Sequence, residues 1–600
     1  MLCDVCKSID VFARDVRNPH HANLHAVFQA AEQGCELCRE LRVEAERELL
    51  LPPSLNMEYM DSRINYDIYF AYPSVAIESV SFTTENERQR REFAKFEIYV
   101  EHDCAPELAG LVEGRPSFAT PYSDGCFSLI NTWMRECAES HGSYCSSESE
   151  APLPTRVLDI GIGGGDDSIF LKVANQREVG AYVTLSHCVS LLLSISLVLF
   201  VVCRLRNMDL IRMSTAQWGP KPHFCTTLSN IVDFEQSISL EELPRTFQDA
   251  ILVARRLGFR FLWIDSLCII QDSRKDWVQE AASMHLYYKR SALTIAVDCA
   301  SGDHEGFLHL ARKNDPPLAI LPSIGLPLEQ VSGTRPGSTQ SVSVVQSPIG
   351  DILLRRLRQR DEDHLSEHGW TLQETLLSPR TIHYSATELK WTCKRKNFSE
   401  RDLCGLFDDP KQGFLGLSKY LSIWKENVEN SEMVYNEVFH RWYNILDNYA
   451  FRALSVSSDK LPAISGLARE FSSQIHSTYK AGIWLENMHF GLTWSYSEHG
   501  IKPDSYRAPS WSWAAMDCFR TGDSLGLYSY SFASDAGPKT ICKAEVLNCV
   551  VTLKDNDPYG AVIGGELTLR TFWITWPRNQ IPGSGKMWNL PPFFPIPKGA

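Results

Sequence analysis

Phe261-Leu-Trp-Ile-Asp-Ser-Leu-Cys-Ile-Ile-Gln-Asp272 decides how this chain is read. It opens as a nearly unbroken apolar run, the pattern of a strand buried on both faces. Asp265 interrupts the run. A bare carboxylate is costly to bury, so Asp265 must be paired or stand at the strand's carboxyl end. In open α/β sheets that is the end where sites are built. Upstream, Tyr182-Val-Thr-Leu-Ser-His-Cys188 reads as a second strand running into a polar loop.

The residues around these two stretches alternate. Leu243 to Gly258 has the pattern of an amphipathic helix, with Pro244 in its first turn, Gly258 as its stop, and Phe247, Ile251, Ala254 and Leu257 on one face. Phe259–Ile264 follows as a strand, Asp276–Tyr288 as a helix presenting Trp277, Ala281, Met284 and Tyr288, and Leu293–Val297 as a third strand. Strand–helix alternation predicts an α/β unit with a mainly parallel sheet flanked by helices, and Phe261–Asp272 as its central strand.

At 600 residues the chain has room for three or four domains of about 150 residues each. Composition is that of a globular protein, 44% hydrophobic and 22% charged. A net charge of −14 offers no basic stripe for nucleic acid. The first residues, Met1-Leu-Cys-Asp-Val-Cys-Lys7, lack the charged-then-apolar pattern of a secretory signal. With 18 scattered cysteines, the expectation is therefore reduced thiols and a cytoplasmic location. Val189 to Cys203 is the one long apolar run, and at fifteen residues it falls short of the roughly 20 needed to span a bilayer, so no stable membrane insertion is expected.

Cysteine spacing points to metal. Cys3-Asp-Val-Cys6 and Cys35-Glu-Leu-Cys38 are two pairs able to supply four thiolates to a tetrahedral zinc. The 28 residues between the pairs exceed the common ribbon spacing, and four ordinary buried or reactive thiols are the alternative. Cys137, His141 and Cys145 follow a helical stretch, Phe127–Glu139, at four-residue spacing that places i and i+4 on one face. Three residues alone make a weak ligand set, and they could join the first cluster.

Further along, Val157-Leu-Asp-Ile-Gly-Ile-Gly-Gly-Gly-Asp-Asp167 is similar to the glycine loop of S-adenosylmethionine-dependent methyltransferases. Such a loop should open a helix. Here it runs into Ser168–Val173, which reads as a strand, so a glycine-rich hairpin turn is preferred. Trp370–Arg380 reads as a short helix stopped by proline, Thr381–Tyr384 and Glu388–Cys393 as strands, 415–475 as mostly helix, and Tyr506–Ala514 as a strand. The organisation expected is an N-terminal region 1–150, an α/β domain 151–330, a linker 331–348, a mixed α/β region 349–515, and a β-rich end 516–600 with a disordered Pro-rich tail.

The order Leu185-Ser-His-Cys188, Trp218-Gly219, Leu243-Pro-Arg-Thr-Phe-Gln-Asp-Ala250, Leu262-Trp-Ile-Asp-Ser-Leu-Cys-Ile-Ile-Gln-Asp272, then Trp277, Glu280 and Met284, resembles the fungal heterokaryon-incompatibility (HET) domain. The motif residues carrying the likeness are Ser186, His187, Cys188, Trp218, Gly219, Trp263, Asp265, Ser266, Cys268, Gln271, Asp272 and Trp277. Gly369-Trp-Thr-Leu-Gln-Glu374, Ser458–Ala468, Ala481-Gly-Ile-Trp484 and Ala508-Pro-Ser-Trp-Ser-Trp513 resemble segments that follow the domain in large members. The resemblance implies allorecognition and programmed cell death, unnamed protein partners with self-association among them, and a fold distantly like Toll/interleukin receptor (TIR) domains. Some TIR domains cleave NAD with a glutamate, which makes NAD a hypothetical substrate here.

One departure stands out. The family's first motif runs Ser-His-Cys-Trp-Gly unbroken, whereas here the 29 residues 189–217 separate Cys188 from Trp218. The insert begins Val-Ser-Leu-Leu-Leu-Ser-Ile-Ser-Leu-Val-Leu-Phe-Val-Val-Cys. Leu, Ile, Val, Phe and Met share thymine at the second codon position, Val-Ser is what GTAAGT encodes, and the closing Gln217 fits CAG. The expectation is a translated, retained intron. An insertion loop should not be this apolar.

Among catalytic readings, a Ser186–His187–Asp265 triad is weakened because neighbours on one strand face opposite ways. Cys268 with His187 as a thiol protease is no better supported. For NAD cleavage the expected residues are Glu280, beside the apolar face of its helix, with Asp265 orienting. The bland alternative for Glu280 is an ordinary ion pair with Arg or Lys.

Overall fold

The computed structural model describes residues 1–11, 17–49, 60–70, 77–85, 90–104, 108, 110–142, 145, 151–162, 168–175, 177–188, 224–309, 312, 318–321, 351–356, 363–401, 432–475, 477–520 and 545–570. Trp218, Gly219, the 189–217 insert, the 331–348 linker and the Pro-rich tail lie outside them.

The stretch Phe261–Asp272 divides in two. Phe261–Trp263 is a strand, and Asp265–Cys268 is a short helix that follows Ile264. Asp265 thus stands just past the strand's carboxyl end, as its charge requires, and its carboxylate accepts the Ser266 N–H at 2.7 Å. The apolar residues after it, Leu267 to Ile270, are buried as helix and loop rather than as continued strand.

Eight strands form the sheet to which that strand belongs. They are β1 (Arg156–Asp159), β2 (Phe170–Val173), β3 (Tyr182–Ser186), β4 (Phe261–Trp263), β5 (Leu293–Ala296), β6 (Arg380–Tyr384), β7 (Leu389–Cys393) and β8 (Asn397–Ser399). The spatial order is β8-β7-β6-β5-β3-β4-β1-β2. β6, β5, β3 and β4 run parallel, and antiparallel strands extend both sides. The sheet is therefore mixed, with a parallel centre, rather than mainly parallel. Its middle is β5 and β3, so Tyr182–Ser186 takes the central place expected of Phe261–Asp272. The strands on either side of the glycine-rich segment, β1 and β2, pair antiparallel, Arg156 opposite Val173 and Asp159 opposite Phe170, while residues 163–167 lie outside the described residues.

Four helices position the polar groups around this sheet: α1 (Asp124–Ser140), α2 (Arg245–Arg256), α3 (Arg274–Arg290) and α4 (Thr371–Leu377). Phe247, Ile251 and Ala254 of α2 are buried, the face that 3.6-residue spacing anticipates. Tyr506–Ala514 is not a strand. Ser512 caps a short 3₁₀ turn, Trp513–Ala515, and the Trp513 indole donates to the Gly482 carbonyl at 2.8 Å. Alternating tryptophans here mark a buried turn.

The N-terminal region builds a second sheet of six antiparallel strands, in the order Asn18–Pro19, Arg63–Phe70, Ile77–Glu85, Arg90–Tyr99, Ile352–Arg356, Ala319–Leu321. Its last two strands come from beyond β5. It has its own apolar core, in which Val80, Phe82 and Phe96 pack with Ile352 and Leu354.

A buried ion pair joins the layers. Arg312 Nη1 lies 2.6 Å from both Glu400 oxygens, with side-chain exposures of 1% and 0%. Glu400 also accepts the Leu389 N–H of β7 at 2.7 Å and the Phe118 N–H from the segment before α1. Removing one partner of such a pair strands a charge in the interior. Arg312→Ala is expected to cost about 3–5 kcal/mol in urea unfolding. The same change in a Glu400→Gln background should cost clearly less, since the amide leaves no buried charge. Equal costs in both backgrounds would show that packing, not charge, holds this junction.

Candidate functional site

The parallel strands end together, and their ends are polar. β3 closes with Ser186 and leads to His187 and Cys188; β4 leads to Asp265; β5 leads to Asp298; β6 carries His383. Register places Ser186 beside Ala296 and Ala296 beside His383, so these residues form one row. This is the edge where α/β sheets hold ligands. Helix α4 brings Glu374 against the same edge, and Arg452 closes it from the C-terminal region.

Glu374 is the most perturbed acid there. Burial pushes its carboxyl up to about 8, and the neighbouring Asp265 charge pushes the same way, against the Ser186 and Tyr288 hydroxyls and Arg452. Burial likewise lifts Asp363 to about 6, with Asp298 adding to it. Burial lowers His187, and it lowers His368 to about 4. Arg452 donates to the Leu365 and His368 carbonyls at 3.2 and 2.9 Å and to Thr371 Oγ1 at 3.1 Å. His383 Nδ1 is 3.1 Å from Asp298 Oδ2. His187 Nε2 is buried and lacks a hydrogen-bond partner among the described residues. Two histidines of lowered pKa, His187 and His368, the raised Glu374 acid and the Ser186 hydroxyl beside it can accept a polar ligand or transfer a proton.

Glu280 lies elsewhere in the fold. It is fully buried on α3, accepts the Tyr287 hydroxyl at 2.8 Å, and stands 3.9 Å from Arg156. Burial raises its pKa. Arg156 in turn donates to Asp276 at 2.5 Å and to the Cys268 carbonyl at 2.7 Å. Asp265 acts on His187, Tyr288 and Glu374. Cys268 is fully buried and its thiol is pushed up to about 12 by burial, the opposite of an activated nucleophile. Trp263 is core, and Trp277 packs edge-on against Trp370. Gln271 donates to the Asp265 and Ile269 carbonyls, and Asp272 accepts the Leu228 N–H, so both shape the loop after β4. Glu374, Asp298, His383 and Arg452 escaped the sequence reading. Glu374 had a usable signal, since it closes the Gly369–Glu374 motif.

At the N-terminus the expected cysteines gather with a histidine. Cys3, Cys6, Cys38 and His21 each place a donor atom within 4.8 Å of the others, and they could hold a metal such as zinc. Cys3 Sγ is 3.8 Å and Cys6 Sγ 3.4 Å from Cys38 Sγ; His21 Nε2 is 3.2 Å from Cys38 and 3.7 Å from Cys3. Those spacings are close to the ~3.5–3.8 Å edges of a tetrahedral zinc site. His21 joins three of the four expected cysteines. The Cys35 sulfur sits beside the set, accepting the Cys3 N–H at 3.3 Å and approaching Cys6 Sγ at 3.7 Å. Cys137, His141 and Cys145 belong to a separate cluster.

Residues 217–374 match the family model for the heterokaryon incompatibility protein (HET), so the chain carries a HET domain. The match starts at the last residue of the 189–217 insert and ends on Glu374. No curated protein and no solved structure matches the chain.

The Glu374 environment makes a pH-dependent prediction. The carboxyl has an ordinary value of 4.5 and a folded value of about 8. Below the lower value it is protonated in both states. Between the two, unfolding lets it ionise, so stability falls as pH rises through that window and levels off above it. Glu374→Gln should therefore gain on the parent protein in urea midpoint between about pH 5 and about pH 8. A difference independent of pH would mean that Glu374 is already ionised when folded.

Proposed function

We propose that this chain is a cytoplasmic non-self recognition protein of the HET type, which triggers cell death by associating with protein partners, further copies of itself among them. The HET match over residues 217–374 carries this reading. The fate of Glu280 supports signalling over hydrolysis at that residue. Its carboxyl is enclosed by Tyr287 and Arg156 in the layer between α3 and β1, an environment suited to holding elements together. Among the described residues no helix is long and apolar enough to cross a membrane.

A second reading, NAD cleavage on a TIR-like site, has one observation in its favour. Glu374, Asp265 and Ser186 meet at the carboxyl edge of the parallel strands, and Glu374 is held largely neutral near pH 7. In this reading Glu374 is a better acid–base candidate than Glu280, with Asp265 beside it. A methyltransferase reading loses its footing, because the glycine-rich segment joins two antiparallel strands.

The 189–217 insert belongs to the same proposal. Deleting it restores Leu185-Ser-His-Cys-Trp-Gly-Pro, and the family match begins at its last residue. It is a translated intron whose length preserves the reading frame. Mature transcripts should lack it; a mature message that encodes these residues would sink the idea.

The two functional readings separate in one experiment. The chain without residues 189–217 is expressed in a filamentous fungus, and the purified protein is incubated with NAD. Death without nicotinamide release, retained in Glu374→Gln, is the expected result. Nicotinamide release that disappears together with death in Glu374→Gln would replace signalling by hydrolysis.

A further inference from the structure

Cys137 lies in the last turn of α1, His141 is that helix's C-cap residue, and Cys145 follows four residues later. Cys393, the last residue of β7, comes to the same point from 248 positions beyond Cys145. One donor atom from each lies within 4.8 Å of all the others. His141 Nδ1 is 3.6 Å from Cys145 Sγ and 3.4 Å from Cys393 Sγ. Cys137 and Cys145 are fully buried, Cys393 is 2% and His141 7% exposed. A tetrahedral zinc with Zn–S of about 2.3 Å and Zn–N of about 2.1 Å spaces its ligands ~3.5–3.8 Å apart. Imidazole and thiol groups packed at such distances, pointing at one another, are hard to explain as ordinary core.

The surroundings are built for thiolate. The tight turn after β7 folds back on Cys393: its N–H donates to the Lys396 carbonyl at 2.9 Å, and the Lys396 N–H points at Cys393 Sγ at 3.3 Å. Arg380 Nε donates to Cys137 Sγ at 3.3 Å. Backbone and guanidinium donors aimed at sulfur favour the anion that a metal binds. Three thiolates, one imidazole and a divalent zinc carry one net negative charge, and the buried Arg380 guanidinium is placed to offset it.

We propose that Cys137, His141, Cys145 and Cys393 form a structural zinc site, separate from the Cys3 cluster, that pins the end of α1 to the β7–β8 edge of the eight-stranded sheet. All four positions are filled by protein, so the site is closed and has no place for a reacting water. Its effect reaches the polar edge, because β7 pairs along its whole length with β6, the strand that carries His383.

The test uses the full chain purified under reducing conditions. Zinc content is measured for the parent, Cys393→Ser and Cys38→Ser. Cys393→Ser is expected to lose one equivalent of zinc, and the loss should add to any seen in Cys38→Ser. Cobalt replacement provides a readout that does not depend on disruptive variants. The parent should show thiolate-to-cobalt charge transfer and tetrahedral visible bands, and His141→Cys should retain the metal while those bands move to longer wavelength. Parent-like zinc content in Cys393→Ser overturns the proposal. So does a cobalt spectrum unchanged in His141→Cys.

Discussion

Thr184 and Thr294 share a hydrogen bond of 2.7 Å across two parallel strands, and Thr294 reaches Ser378 at 2.6 Å. These short bonds express the constraint under which the whole sheet is built. Every residue of β3, β5 and β6 is buried, so each polar group on them must find its partner inside the protein. Helix α3 meets the same demand from above. The Tyr182 hydroxyl donates to the Tyr287 carbonyl at 2.7 Å, and the Tyr288 hydroxyl donates to the Leu185 carbonyl at 3.0 Å. Glu280 belongs to this layer. Its burial follows from the way α3 is fastened to β3 and β1, which is why a residue that looks reactive in the sequence is enclosed in the fold.

The parallel arrangement has a second consequence. Strands that run the same way also stop at the same edge, so the polar residues terminating each one are collected there. Ser186, His187, Asp265, Asp298 and His383 come from four separate strands and meet for that reason alone. Crowding them under α4 and Arg452 removes water. Burial there lifts Glu374 to about 8 and Asp363 to about 6, and it lowers His368 to about 4. The HET match covers much of this edge but not β3, which lies on the other side of the insert.

Much of this is legible in the chain, within limits that have physical causes. Helices α2 and α3 follow from their apolar spacing, and β3 and β5 from their short runs of β-branched and aromatic residues. Asp265 stands at a strand's carboxyl end, as expected, because a lone carboxylate tolerates few other positions. The length of that strand is not legible, since an apolar run looks the same whether it is buried as strand or as helix. The hairpins that make the sheet mixed, and the two strands that 319–321 and 352–356 lend to the N-terminal sheet, leave no mark in local sequence. Pairing partners are chosen by the whole fold.

Cysteine chemistry draws the boundary most sharply. The sequence by itself determined that residues 3–38 could bind a metal, because two CxxC turns present sulfur at a spacing that local geometry already sets. It also determined, through the order of its motifs, that the chain carries a HET domain. Only the tertiary structure decided that His21 gathers with Cys3, Cys6 and Cys38, and that Cys393 joins Cys137, His141 and Cys145. A helix turn relates residues four apart whatever surrounds it. The approach of β7 to the end of α1 exists only once the sheet between them has closed.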